Sequence, residues 1–296
     1  MPTNAVQRGI LYMAVYSVLQ ALTWGLVRYL GEDMSTASIF FFRNLIGLMT
    51  ILPLFMREGP ALFKTTKFAL HGLRAAVAFI GGFAVFYAVA HAPLASVISI
   101  TFAAPIFASL FAMMVFGEGI TMHRVLVLAA GFVGVIMVLR PSFDIEFGGM
   151  VGAVIATIAT AAAFLSVKRL SLTERSQTVV AYPFLLILPL SALLAYFDWT
   201  SPRWQQMPVV VLMGLGISAA QYCLVKAFSL ADASAVLPID FLRLIVAGVL
   251  GYFFFGDAID TEVFVGAAVI LAVTIYSARK EKEKAAQAAE LADVKP

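Results

Sequence analysis

Asp240 and Arg243 stand three residues apart inside an apolar run from 233 to 255, just after Pro238. On a helix that spacing puts both side chains on one face, where they can neutralise each other. A charge placed at the centre of a lipid-spanning helix costs at least ~2.5–3.5 kcal/mol, so such residues point to function by default. As a binding pair, Arg243 would meet a carboxylate and Asp240 an ammonium. As a structural pair, they would satisfy each other against neighbouring helices. Pro238 frees a backbone carbonyl nearby, which favours the binding role. Arg43 lies in the middle of another apolar run with no partner at helical spacing. It can bond carbonyls or a loop acid, or receive a substrate carboxylate. Lys226 is within one turn of the end of its run, so its ammonium can snorkel to the surface.

Neutral polar and aromatic side chains recur near the middle of the apolar runs: Gln20, Thr23 and Trp24, then Tyr87, Ser99 and Phe102, then Thr160 and Phe164, then Ser218, Gln221 and Tyr222. A buried glutamine needs hydrogen-bond partners. A mostly apolar cavity with a few such groups suits a permissive binder of small molecules such as amino acids. Each group alone serves equally well as a contact between helices. The candidate substrate-binding set is Gln20, Trp24, Tyr87, Ser99, Phe102, Phe164, Ser218, Gln221, Tyr222, Asp240 and Arg243.

Catalysis has no foothold here. The chain has neither a His-Glu-x-x-His metal pair nor a Gly-x-Ser-x-Gly elbow, and His71, His91 and His123 fall on separate segments. Cys223 is the single cysteine, which rules out an internal disulfide or a Cys-x-x-Cys site. No enzyme activity, metal or cofactor is expected. A channel would call for rings of polar residues or an oligomeric pore. A receptor would call for a soluble output domain.

The elements that must hold these residues are membrane helices. The 296 residues are 62% hydrophobic and 12% charged, with mean hydropathy +0.96. Soluble domains carry about 25% charge, so lipid must cover most of this surface. The net charge of +3 gives no ground for a nucleic-acid partner. About 20 apolar residues cross a bilayer as a helix. Spans are expected at 9–30, 37–56, 72–91, 93–116, 123–140, 148–169, 178–197, 208–229, 233–255 and 261–278. The runs are too long and continuous for barrel strands. The first run follows Arg8, outlasts a signal-peptide core and lacks an Ala-x-Ala site, so it reads as a retained span. With both termini inside, fourteen Lys and Arg lie on the inner side; Arg28, Arg140 and Arg203 lie outside, and Arg43, Lys226 and Arg243 within spans. That asymmetry sets the orientation, and Trp199 and Trp204 sit at the outer interface. Residues 279–296 form a charged, Ala-rich cytoplasmic tail.

The chain also repeats itself. His91-Ala92-Pro93-Leu94-Ala95-Ser96-Val97, leading to Phe116-Gly117-Glu118, parallels Leu230 onward through Ser234 to Phe255-Gly256-Asp257. Trp24 to Leu30 parallels Phe164 to Leu170. Five spans per unit, an odd number, invert the second copy relative to the first, a plan common among secondary transporters. The units are 1–141 and 142–278. Gly81-Gly82, Gly131 with Gly134, Gly148-Gly149 with Gly152, and Gly214 with Gly216 read as close-packing positions.

Trp24-Gly25, Phe42-Arg43, Ala104-Pro105, Phe116-Gly117-Glu118 and Phe255-Gly256-Asp257 together resemble the ten-helix EamA-type branch of the drug/metabolite transporter superfamily, over residues 9–278. Within that branch the chain is most similar to bacterial aromatic amino acid exporters of the YddG type. Asp257 replaces the usual glutamate, and Pro183 stands where the repeat would place an arginine. The resemblance implies an all-α bundle around a central cavity lined by helices 1, 3, 4, 6, 8 and 9. It implies alternating-access export of small metabolites, chiefly neutral and aromatic amino acids, across a bacterial inner membrane. Other cargoes of sister groups are a nucleoside, an S-adenosylmethionine-like compound or a drug. The expected partners are the substrate and the lipid bilayer, with the chain acting as a monomer.

Overall fold

The computed structural model describes residues 3–91, 97, 100–116, 121–139, 147–256, 265–277, 279, 280 and 283. All regular structure among them is helical: α1 (Thr3–Leu30), α2 (Thr36–Met49), α3 (Leu52–Glu58), α4 (Phe68–His91), α5 (Ala104–Phe116), α6 (Met122–Leu139), α7 (Phe147–Ser171), α8 (Ser176–Phe197), α9 (Met207–Leu230), α10 (Ala233–Val236), α11 (Leu242–Phe255) and α12 (Val265–Ser277). Short 3₁₀ turns at Gly59–Phe63, Trp204–Gln206 and Leu237–Phe241 complete it.

Among the described residues six stretches are long and apolar enough to cross a membrane: Ala5–Leu30, Thr36–Phe63, Phe147–Ser171, Ser176–Phe197, Trp204–Leu230 and Ala233–Phe255. Shorter apolar helices run over Phe68–Gly82, Ala104–Phe116, Met122–Met137 and Val265–Ser277. The flanks of these helices carry exposed Leu11, Met114, Leu126, Ile158, Leu193 and Phe253. Water would penalise that apolar coat by ~25 cal/mol per Å², whereas lipid does not. The protein is a multi-pass membrane protein.

Polar contacts gather at the two ends of the bundle. At one end Arg203 pairs with Asp33 at 2.9 Å, and Gln206 donates to the same carboxylate. Ser35 caps α2 by accepting from the Ser38 amide, and its hydroxyl donates to the Asp198 carbonyl. The Trp199 ring lies 5.6 Å from that of Phe42. At the other end Arg175 pairs with Glu58 at 2.7 Å, Lys67 donates to Thr173, and Arg124 pairs with Asp232 at 3.3 Å.

Between these ends the packing is pairwise. α1 lies along α9, α4 along α7, and α2 crosses α8; α1 also meets α11, and α5 meets α7. Small residues set the approach. A Cβ on Gly9 would come within 2.9 Å of the Ala231 side chain, and one on Gly47 would run into the Phe184 ring. Gly81 faces Ala159 in the same way, at 3.1 Å. With no water to expel between helices, such contact areas hold the bundle.

Two of the runs read from sequence are interrupted rather than continuous. The run 233–255 is broken into α10, the 3₁₀ turn Leu237–Phe241 and α11. Pro238 cannot donate its backbone nitrogen, which favours a break there. In the first half, helix at 100–101 gives way to a turn at Phe102–Ala103 before α5 starts at Ala104. At the far end of α11, Gly256 adopts φ +68 and closes the helix with its amide on the Gly251 carbonyl. That left-handed position explains the glycine in the Phe-Gly-acid ending.

Candidate functional site

The broken helix carries the candidate site. Asp240 is fully buried in the 3₁₀ turn, one turn before Arg243 at the start of α11. Their side chains approach to 3.0 Å between Oδ2 and Nη2. The alignment is poor: Asp240 Oδ2 and Arg243 Nε both lack a hydrogen-bond partner. Asp240 Oδ1 accepts a 3.2 Å bond from the Ser17 hydroxyl, which also lies 3.0 Å from the Met13 carbonyl. The Arg243 guanidinium rests over the Trp24 ring at 4.7 Å and over the Phe102 ring at 4.9 Å. Cations favour the negative face of an aromatic ring, most strongly when water is excluded.

Ser17, Gln20 and Trp24 recur at helical spacing along one face of α1. Gln20 is buried, and its Oε1 has no partner. The arrangement thus contains a carboxylate, a guanidinium, an idle amide oxygen and two aromatic faces. That combination can receive an ammonium, a carboxylate and a flat apolar body.

The structure brings together Trp24, Phe102, Asp240 and Arg243 from the candidate set, with Gln20 on the same face of α1 as Ser17 and Trp24. Gln221 lies next to a group that sequence reasoning missed: its Oε1 accepts a 2.9 Å bond from Arg74, whose guanidinium also donates to the Val179 carbonyl. Arg74 is buried, tying α4 to α8 and α9. Its place two residues inside an expected span made it look like an interfacial charge. Besides Ser17, the buried Tyr16 is a residue that only the fold places near Asp240, Arg243 and Arg74, with which it interacts electrostatically. Phe164 packs edge-on against Phe228 in the main core. Ser218 donates to the Gly214 carbonyl at 2.9 Å and reaches the Gly47 carbonyl at 3.5 Å, joining α9 to α2. Tyr222 is 37% exposed, with the Lys226 ammonium over its ring. Ser99 and the Tyr87 side chain lie outside the described residues. Arg43 lies over the Phe40 ring at 4.6 Å, with its Nε unpartnered. A cavity of about 260 Å³ between α2, α4 and α8, lined by Phe40, Phe79, Gly82 and Leu194 among others, includes neither member of the pair.

A helical bundle coated in apolar side chains, with a charge pair at a helix break, is a plan that secondary transporters use. The chain belongs to the EamA-like transporter family, whose pattern it matches twice, over residues 7–140 and 147–278. It is similar to an S-adenosylmethionine uptake transporter of Rickettsia prowazekii, with 25% identity over 93% of this chain and 94% of that one. A riboflavin transporter of Rhizobium johnstonii is 29% identical over 96% and 94% of the two chains. A pseudopaline exporter of Pseudomonas aeruginosa is 24% identical over 95% and 100%. A solved crystal structure superposes with a TM-score of 0.77 at 16% identity, covering 93% of this chain and 96% of the other, so the fold is shared. The protein is a small-molecule transporter.

Ser17 and Thr157 fall at the same place in the two family matches, ten residues after each begins. Thr157 donates to the Ile100 carbonyl at 3.0 Å and lies 2.8 Å from the Ala153 carbonyl four residues back. Ser17 relates to Asp240 and Met13 in the same way. Asp240 aligns with Ile100 counting from the start of each match, and with Thr101 counting back from the Phe-Gly endings. Neither of these residues bears a charge.

Proposed function

We propose that the protein exports a small zwitterionic metabolite, an amino acid with an aromatic or apolar body, by alternating access. The Asp240–Arg243 pair at a helix break beside Trp24 and Phe102 carries this reading. Arg243 takes the substrate carboxylate, Asp240 and Gln20 take the ammonium, and the rings take the side chain. The substrates of these relatives agree with the chemistry in part. S-adenosylmethionine is an α-amino acid joined to a heteroaromatic base, and riboflavin is heteroaromatic. These relatives also supply the second reading, a bulkier heteroaromatic metabolite stacked on the same rings.

The architecture that goes with this function is ten transmembrane helices in two inverted units, 1–141 and 142–278, with a cytoplasmic tail over 279–296. The six long and four shorter apolar helices support that count. So does the packing: exchanging each span with its partner five places on turns the α1–α9 contact into the α7–α4 contact. The Lys and Arg asymmetry supports cytoplasmic termini in a bacterial inner membrane. Purified protein in liposomes, offered labelled phenylalanine, S-adenosylmethionine, riboflavin, a sugar and a polyamine, tests the reading. Saturable flux of phenylalanine is the expected result. Flux of the sugar or polyamine with none of phenylalanine refutes it.

A further inference from the structure

Asp240 and Arg243 are neutral as a unit, and the unit is incompletely satisfied. From this we infer that the carrier is charge-conserving: a zwitterion opens the pair by taking both partners, the pair re-forms when the substrate leaves, and no proton or metal ion travels with it. This rests on the zwitterionic substrate proposed above.

The charge count is the same in both states. Empty, the carboxylate faces the guanidinium. Loaded, each faces the opposite charge of the substrate. A carrier with an uncompensated charge at its centre would meet a large barrier when turning over empty, because a lone ion in a low-dielectric interior is costly. Here the pair removes that barrier, so the empty carrier returns without a coupling ion. Burial weighs against the charge on Asp240, and two neighbours oppose that cost. Arg243 lies against one oxygen and the Ser17 hydroxyl donates to the other. From α1 the remaining titratable neighbour is Tyr16, from the turn before α5 the Phe102 ring lies against Arg243, and beyond Tyr16 lies the cation of Arg74 on α4. Arg74 is bound to the Val179 carbonyl and Gln221 rather than to the pair. Among the described residues Asp240 is the only buried carboxylate. It is therefore, among the described carboxylates, the one whose protonation bears on the inference, and the Arg243 pair is what compensates its charge.

Dicyclohexylcarbodiimide tests this without any substrate, because it adds to a buried carboxyl group only after taking up that group's proton. The substrate-free protein in liposomes is treated between about pH 5.5 and pH 8, a range that spans ordinary proton coupling. The adduct on the Asp240 peptide is then measured by mass spectrometry. Background labelling is expected in the parent and in Arg243→Lys at every pH. In Arg243→Gln the unpaired acid should take a proton and label at least about tenfold more. Asp240→Asn gives the blank. Labelling of the parent that rises as the pH falls overturns the inference, because Asp240 would then be a proton site. Equal labelling of the parent and Arg243→Gln overturns it too, because Arg243 would not govern that charge. If Arg243→Gln does not fold, the parent decides by infrared spectroscopy. A protonated-carboxyl band at acid pH that is absent from Asp240→Asn refutes the inference, and its absence from both supports it. The substrate assignment fails separately, in the liposome flux assay.

Discussion

Removing one member of the Asp240–Arg243 pair should cost far more than removing both. Asp240 has no exposure, and only 10% of the Arg243 side chain is exposed. Breaking such a pair strands a buried charge, at about 3–5 kcal/mol, whereas replacing both members is often neutral. The Ser17 bond will offset part of the cost in Arg243→Gln, at about 1 kcal/mol. The two aromatic faces will offset a similar part in Asp240→Asn, because they still hold the guanidinium. A net loss of roughly 2–4 kcal/mol is therefore expected for each single change, a fall in melting temperature of about 10 °C for a chain of this size. Asp240→Asn, Arg243→Gln and the double variant form a thermodynamic cycle that can be followed by thermal unfolding in detergent and by flux in liposomes. The coupling energy should exceed about 2 kcal/mol. The double variant should melt near the parent but transport poorly. A coupling below about 0.5 kcal/mol would show that the two charges do not sense each other. A double variant with parental flux would show that the pair serves only structure.

Trp24→Ala should raise the KM for phenylalanine about tenfold with a smaller change for alanine, since a lost ring contact is worth about 1–2 kcal/mol; equal changes for both amino acids would remove the ring from substrate binding. Arg74→Leu leaves the Val179 carbonyl and Gln221 Oε1 without their donor and should destabilise by about 2–3 kcal/mol, read as a lower melting temperature. Gly131→Val should lower the yield of folded protein sharply, because even a Cβ there would lie 2.5 Å from the Phe241 ring beside the site. Phenylalanine flux should be unchanged when a potassium–valinomycin potential is imposed, whereas S-adenosylmethionine, if carried, should follow the potential; a potential-driven phenylalanine current would contradict charge conservation.

The charge pair was legible because ionisable residues in apolar runs are conspicuous, and Asp240 and Arg243 do meet. The long helices were legible for a related reason: lipid demands unbroken apolar runs. What sequence could not supply was the side each residue faces. A membrane helix is apolar toward lipid and toward protein alike, so periodicity does not separate buried Tyr16 from exposed Leu11. Hydroxyls were ambiguous for the same reason. Ser218 satisfies backbone carbonyls of α9 and α2, while Ser17 reaches the carboxylate, and nothing in either local sequence distinguishes them. Arg74 and Lys168 were counted as inner-surface charges, yet both are buried; Lys168 donates to the Phe228 and Ala231 carbonyls at the end of α9. Their contacts are with helices more than 60 residues away in some cases, a distance no local pattern spans.

The matched hydroxyls Ser17 and Thr157 bear on how such a site can be invented. In one half the hydroxyl meets a main-chain oxygen, Ile100 O, which every residue type provides. In the other the corresponding donor meets a side-chain oxygen, Asp240 Oδ1. A hydroxyl at this place serves a main-chain or a side-chain oxygen equally, so an acid at position 240 is accommodated without a different backbone around Ser17. An acid introduced at Thr101, next to the carbonyl that Thr157 meets, would test whether the first half accepts a charge in the same way.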